Sequence, residues 1–290
     1  LTHWNIALPG ETGKFQEVGS MLDRLLVGMA KIEGDDLILL SGRTPMVKRM
    51  GRTVPLTKGE LTAEQLKALL VPLLTAQQMD EMQRLKDIDF SYTVKGNDLR
   101  FRANIFQEHG GMAAVFRIVK GSVPRIETLG LPSVVKGLGE LANGLVLVGG
   151  PTGSGKSTTL AALIDFINRN TSRHIISLED PIEVVHPSAK GLVTQREIGT
   201  HARSYAEALR STLREDPDVI LVGELRDLDT ISFAVTAAET GHLVFGTVHT
   251  VSVDSSVDRL INAFPAAQQD QVRNMLSQSL RAVCCQYLLK

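Results

Sequence analysis

The sequence predicts an α/β protein in two parts, a parallel sheet covered by helices on both faces and, before it, a smaller α+β region. Two observations carry this. In the second half, short continuous apolar runs alternate with stretches of helical spacing, the pattern of strands buried on both faces. In the first half, shorter segments alternate apolar and polar residues between glycine-marked turns, as half-buried strands do.

The elements follow in order. Residues 15–32 have helical apolar spacing, and residues 36–40 and 45–50 read as strands. Two helix starts carry capping boxes, Thr62 with Gln65 and Thr75 with Gln78. Residues 89–94, 99–106 and 112–119 form a three-stranded meander, turned by Gly96, Asn97 and Asp98 and then by Gly110 and Gly111. The stretch 121–132, with Gly121, Pro124, Gly130 and Pro132, discourages regular structure and reads as a linker. Domains are therefore expected at 1–120 and 133–290. Beyond the linker, strands are expected at 145–148, 174–178, 219–222 and 243–248, with helices from 157, 204 and 228 and, after the last strand, helices to the end. No internal repeat or low-complexity tract is present.

Composition narrows the function classes. Lys+Arg 31 against Asp+Glu 32 leaves a net charge of -1, and aromatics are 4%, so no basic, aromatic-rich stripe recommends nucleic acid as partner. No apolar run is as long as a transmembrane segment, and the first residues lack the pattern of a secretion signal, so the protein reads as cytoplasmic. Cys284 and Cys285, the two cysteines, lie on an apolar stretch read as helix and suit reduced core thiols. The chain begins with Leu1 and stops within a helical pattern at Lys290, so both ends read as trimmed.

Residues 150–157, GPTGSGKS, complete a G-x-x-x-x-G-K-[ST] loop between an apolar strand and a helix. Glycines let successive N–H groups turn toward an oligophosphate, Lys156 adds a cation, and the Ser157 hydroxyl can ligate Mg²⁺. Further polar groups fall at the carboxyl ends of the expected strands, where ligands of open α/β sheets bind. Glu179, Asp180 and Glu183 follow one strand, and any of these carboxylates can polarise an attacking water. Glu224 ends the strand in DPDVILVGE and is placed to act on Mg²⁺ directly or through water, with Gly223 where many P-loop enzymes have aspartate. His242 and His249 bracket the strand 243–248, and His249, on the nucleotide side, is the better candidate for sensing a γ-phosphate. Arg210 and Arg214, four apart on an expected helix, share a face, and Arg102 and Arg117 lie on neighbouring strands of the meander, with Arg100 on the face of Arg102. Guanidinium groups brought to a γ-phosphate stabilise charge that grows in the transition state. The plain alternatives are solvated acidic loops, surface arginines and packing histidines.

GPTGSGKST, EDPIEVVH, REDPDVILVGELRD and AAETGHLVFGTVHT resemble the Walker A, Asp box, Walker B and His box of the bacterial secretion ATPases. The likeness extends from about residue 36 to 290 and is closest on the side of the pilus retraction enzymes. It implies a PAS-like first domain, a RecA-like P-loop ATPase domain and a homo-hexameric ring. It also implies ATP and Mg²⁺ as ligands, and work on a pilus platform protein at the cytoplasmic face of the inner membrane, with retraction and twitching as the outcome. Carried onto this chain, Pro151, Thr152, Gly153, Ser154, Gly155, Lys156, Ser157 and Thr158 bind nucleotide, and Ser157 and Glu224 hold the metal. Glu183 is the catalytic carboxylate, His242 and His249 are the paired box histidines, and Arg102, Arg117, Arg210 and Arg214 approach the phosphates. Pilus extension or type II/IV secretion is the alternative within the family. Outside it stand a nucleic-acid translocase, which the neutral charge opposes, and a poorly hydrolysing scaffold, which the presence of both Glu183 and Glu224 opposes.

Overall fold

The computed structural model describes residues 20–97, 99–119 and 123–288. The chain divides into two compact units, Leu1–Gly121 and Ser122–Lys290.

In the first unit, helix α1 (Met21–Lys31) starts at Ser20, whose side chain accepts from the Asp23 N–H. Its buried Leu22, Leu25, Leu26 and Met29 repeat at helical spacing and form the apolar face. Residues 15–19 of the expected helix lie outside the described residues. Strands β1 (Asp36–Leu39), β2 (Met46–Arg49) and β3 (Arg52–Pro55) precede helices α2 (Ala63–Leu70) and α3 (Ala76–Leu85). Both helices carry the expected capping boxes. Strands β4 (Asp87–Thr93), β5 (Arg100–Glu108) and β6 (Gly111–Val119) form the meander, whose first turn includes Gly96 and Asn97, while Asp98 lies outside the described residues.

The meander is half of a larger sheet. Six strands run in the order β3-β2-β1-β6-β5-β4, each antiparallel to its neighbour. Strand β1 supplies the backbone partners that β6 would lack at an open edge, with Leu37 opposite Phe116. Strand β3, absent from the sequence reading, returns on β2 through Met50 and Gly51 at φ 49 and 77. Such two-residue turns need positive φ at both positions, and methionine does not announce it.

In the second unit, helix α4 (Ser133–Gly137) leads to strand β7 (Gly144–Gly149) and helix α5 (Lys156–Asn170). The stretch read as linker includes Ile126, which is buried among the core residues of this unit, while residues 120–122 lie outside the described set. Strands β8 (His174–Glu179) and β9 (Leu192–Glu197), helix α6 (Tyr205–Thr212), strand β10 (Val219–Val222), helix α7 (Leu228–Glu239) and strand β11 (Leu243–Val248) follow. Helices α8 (Val253–Asn262) and α9 (Ala266–Ser279) and strand β12 (Leu280–Cys285) complete it. The sheet order is β12-β7-β11-β10-β8-β9, parallel throughout. Alternate residues feed two cores. Leu145, Leu147, Ile220 and Val222 pack with residues of α6, α7 and α9, and Val146, Val148, Val219 and Leu221 with α5.

Two expectations about the chain's last part are corrected. Residues 280–285 are a strand rather than a helix, and Cys284 and Cys285 lie on it as free, half-buried thiols. A register irregularity between Leu280 and Ala282 breaks the alternation that would have marked it. Strand β9, a half-exposed edge segment, was also unforeseen.

Phe245 on β11 is fully buried between sheet and α5. Phe245→Ala should cost roughly 3–5 kcal/mol, read as a lower urea midpoint in circular dichroism.

Candidate phosphate and carboxylate site

The loop between β7 and α5 is shaped by what its glycines exclude. Gly150 sits at φ 146, and a Cβ there would lie 2.4 Å from the Gln286 carbonyl oxygen and 2.6 Å from Ser154 Oγ. Gly155, at φ 90, is the N-cap of α5, and no side chain caps that helix. The first N–H groups of α5 are therefore left for another acceptor. Ser154 Oγ is buried without a partner among the described residues. Pro151, Thr152, Gly153, Ser157 and Thr158 are exposed, while Lys156 is buried. Its Nζ donates to the carbonyls of Gly150 at 2.8 Å and Pro151 at 3.0 Å. Burial lowers the Lys156 pKa, and the carboxylates of Glu224 and Glu183 pull it back up. Two carboxylates that the sequence placed on separate loops thus act on one ammonium.

The acidic loop after β8 is fixed from beneath. Gln195 on β9 donates to Val184 O at 2.8 Å and to Glu179 Oε1 at 3.1 Å, and accepts from His186 N at 2.8 Å. Ile182 N donates to Glu197 Oε2 at 3.0 Å. Glu179 is enclosed, held by Ser177 and Gln195, and burial raises its pKa. Both bonds fall on its Oε1, which is committed to the scaffold. Glu183 is exposed, and its charge acts on Lys156.

Glu224 leaves β10 with Oε1 2.6 Å from Arg226 Nε and 3.3 Å from His249 Nε2. The Arg226 pKa is raised by its hydrogen bond to Glu224. Gly223 has a steric explanation, since a Cβ there would meet Tyr205 Oη at 2.9 Å and Leu178 O at 3.1 Å. A side chain at this position would have to displace the Tyr205 hydroxyl. Tyr205 itself is half-buried beside Asp180, Glu179 and Glu224, and desolvation first, then those charges, raise its pKa.

The histidines separate. His249 meets Glu224, whereas His242 precedes β11 and donates from Nδ1 to Ala237 O at 2.9 Å. Seven residues of extended chain separate them by roughly 20 Å, so His242 belongs to the opposite end of the sheet. Its carbonyl accepts from Gly144 N, where β7 begins.

The arginines also differ from expectation. Arg210 is on α6, but that helix ends at Thr212 and Arg214 lies in the following turn, with Nη1 donating to Arg210 O at 3.2 Å. The two line a cavity of about 470 Å³ with Arg196 and Arg203. In the first unit, Arg102 and Arg117 stand opposite in register, as their strands implied. Arg102 pairs with Asp89 at 3.4 Å and Arg117 with the buried Asp36 at 2.7 Å.

Four contributors were missed. Arg226 lay inside the quoted Walker B segment, so its signal was present. Gln195, Tyr205 and Gln286 act through positions that only the sheet order reveals, and no spacing in the sequence marks them.

Two predictions follow from this packing. Gly223→Ala should cost about 1–3 kcal/mol in urea unfolding, and less in a Tyr205→Phe background; an unchanged cost there assigns the limit to Leu178 O instead. His186 is buried, and burial pushes its imidazole pKa below the ordinary 6.5. Below that pH the unfolded chain takes up the proton more readily than the native one, so stability falls as pH drops from 6.5. Urea midpoints measured against pH should show a shallower acid decline for His186→Asn.

Comparisons with known proteins agree with this geometry. The family model described as Type II/IV secretion system protein matches residues 57–290. The chain is 47% identical over 269 residues to the type IV pilus retraction ATPase PilT of Pseudomonas aeruginosa, across 93% of this chain and 78% of that protein. It is 49% identical over 247 residues to a twitching motility protein of Neisseria gonorrhoeae, across 85% of this chain and 66% of that one. The crystal structure of the pilus retraction motor PilT with bound ADP superposes with a TM-score of 0.84 at 42% identity, covering 91% of this chain and 77% of that chain. No helix among the described residues is long and apolar enough to cross a membrane. With the phosphate loop, the two carboxylates and His249 in one place and the family model spanning residues 57–290, the chain belongs to the type II/IV secretion system protein family.

Proposed function

We propose that this chain is an ATP-hydrolysing motor subunit that powers retraction of type IV pili. The observation that carries this reading is the buried Lys156 ammonium in a glycine-shaped phosphate loop, with Glu183 and Glu224 from two other loops acting on it. Identity of 47% to a pilus retraction ATPase, and of 42% to a retraction motor crystallised with ADP, supports ATP as the substrate and the pilus as the load.

The chemistry is positional. The backbone N–H groups of residues 152–158 and the Lys156 Nζ bind the phosphates, with Pro151 shaping the loop, an anion site at a helix N-terminus. A hard cation takes oxygen ligands, one or two carboxylates with substrate phosphates. Ser157 and Glu224 fit that donor set and would hold Mg²⁺, which neutralises phosphate charge when bound. Glu183 orients the attacking water and accepts its proton as the water oxygen bonds to the γ-phosphorus and the β–γ bridging bond breaks, releasing ADP and phosphate. His249, with Nε2 3.3 Å from Glu224 Oε1, reports whether a γ-phosphate is in place. Arg102, Arg117, Arg210 and Arg214 supply guanidinium charge when a homo-hexamer closes, from the same copy or a neighbour. His242, bound to the Ala237 carbonyl, acts outside this copy's own phosphate site. The ring works against a platform protein at the cytoplasmic face of the inner membrane.

Steady-state ATP turnover tests the reading. Lys156→Ala should abolish it, and Glu183→Gln should lower kcat by about 10² or more with KM little changed. A Glu183→Gln enzyme within a few-fold of wild type removes that carboxylate from the chemistry.

A further inference from the structure

Gln286, the first residue beyond β12, touches the phosphate loop at both ends. Its backbone N–H donates to Gly149 O at 2.9 Å, where β7 gives way to the loop. Its side-chain Oε1 accepts from Thr159 Oγ1 at 2.9 Å, in the first turn of α5. Between these anchors it sets the glycine requirement, since a Cβ at Gly150 would lie 2.4 Å from its carbonyl oxygen and one at Gly155 would lie 3.0 Å from its Nε2. The neighbouring Tyr287 donates from Oη to Val251 O at 2.8 Å, two residues beyond His249. Thr250 O in turn lies 3.0 Å from a Cβ placed at Gly149. One short segment is thus fastened to both the phosphate loop and the loop that carries His249.

We propose that Gln286 is a positioning residue for nucleotide binding, holding the phosphate loop open to an oligophosphate through Thr159. The proposal rests on the nucleotide reading above. The physical reason is that the Lys156 ammonium already bonds two loop carbonyls, at Gly150 and Pro151. A loop with positive-φ glycines at 150, 153 and 155 has little stiffness of its own. Gln286 braces it from the sheet edge, so that binding a phosphate chain need not order the loop first. Side-chain loss at Gln286 should therefore weaken binding and leave the chemical step alone.

The test is ADP binding by titration calorimetry on the chain as it stands, with ATP turnover alongside. Gln286→Met, which keeps bulk, and Thr159→Val, which removes only the hydroxyl, should each weaken ADP binding about tenfold. Thr159→Ser should stay within about twofold of wild type, and the double variant should bind no more weakly than either single one, because both remove the same bond. KM for ATP should rise in both single variants while kcat stays within about threefold. Gln286→Met binding within about twofold of wild type, with Lys156→Ala binding abolished, overturns the proposal and leaves the nucleotide reading intact. Additive losses in the double variant overturn it as well, since the two residues would then act independently. A wild-type chain that binds no ADP overturns the nucleotide reading and this proposal together.

Discussion

The burial of one ammonium group governs the second unit. Lys156 is out of solvent, which disfavours its charged form and lowers its pKa; two carboxylates pull that pKa back up, and two loop carbonyls accept from its Nζ. Each requirement constrains a different element. The carbonyls of Gly150 and Pro151 must turn inward, which calls for the positive φ of Gly150, Gly153 and Gly155. The carboxylates must arrive from the loops after β8 and β10. A chain lacking any of these would leave a desolvated charge uncompensated.

Sheet order is what makes the convergence possible. Strand β7 lies between β12 and β11, with β10 and β8 beyond β11, and every neighbour is parallel. All carboxyl ends therefore open on one edge, and residues distant in sequence become neighbours there. Glu183, Glu224, His249 and Gln286 each follow a different strand of this sheet. The scaffolding around them is equally distributed. Gln195 holds the Glu183 loop from β9, and the Thr247 hydroxyl donates to the Gly223 carbonyl beside Glu224. Tyr205 fills the space that a side chain at position 223 would take.

Much of this was legible because it is local. The capping boxes at Thr62 and Thr75, the four buried strands read as apolar runs, and the phosphate loop between strand and helix are all set within a few residues. What escaped was non-local or disguised. The β2–β3 turn needs positive φ at Met50, a residue that carries no turn signal. Strand β12 hides behind a register irregularity, and Cys284 and Cys285 were misplaced with it. The fused six-stranded sheet of the first unit depends on β1 finding β6 across many intervening residues, which no pattern in either strand encodes. The site follows the same rule. Glu183 and Glu224 were visible as acids at strand ends, while the bonds that Ser177 and Gln195 make to Glu179 were not. His242 and His249 were already separable in sequence, because the strand between them puts the two at opposite ends.

The partners of Glu224 are not equal, and the difference bears on turnover. Lys156 is buried and bonded to the loop, so its charge is fixed in place. Arg226 bonds the same carboxylate at 2.6 Å, but its side chain is 72% exposed. An exposed guanidinium exchanges a carboxylate for water at small cost, because solvent screens the pair and rehydrates both charges. Arg226 is therefore the partner that can release Glu224, while Lys156 cannot move without stranding a desolvated charge. A site built to exchange anionic ligands in succession needs this asymmetry. Under the proposed function one cation would stay to receive each incoming phosphate, and the other would yield when the carboxylate is required elsewhere. Place both cations in the interior and Glu224 would be locked; place both in solvent and the loop would lose its anchor.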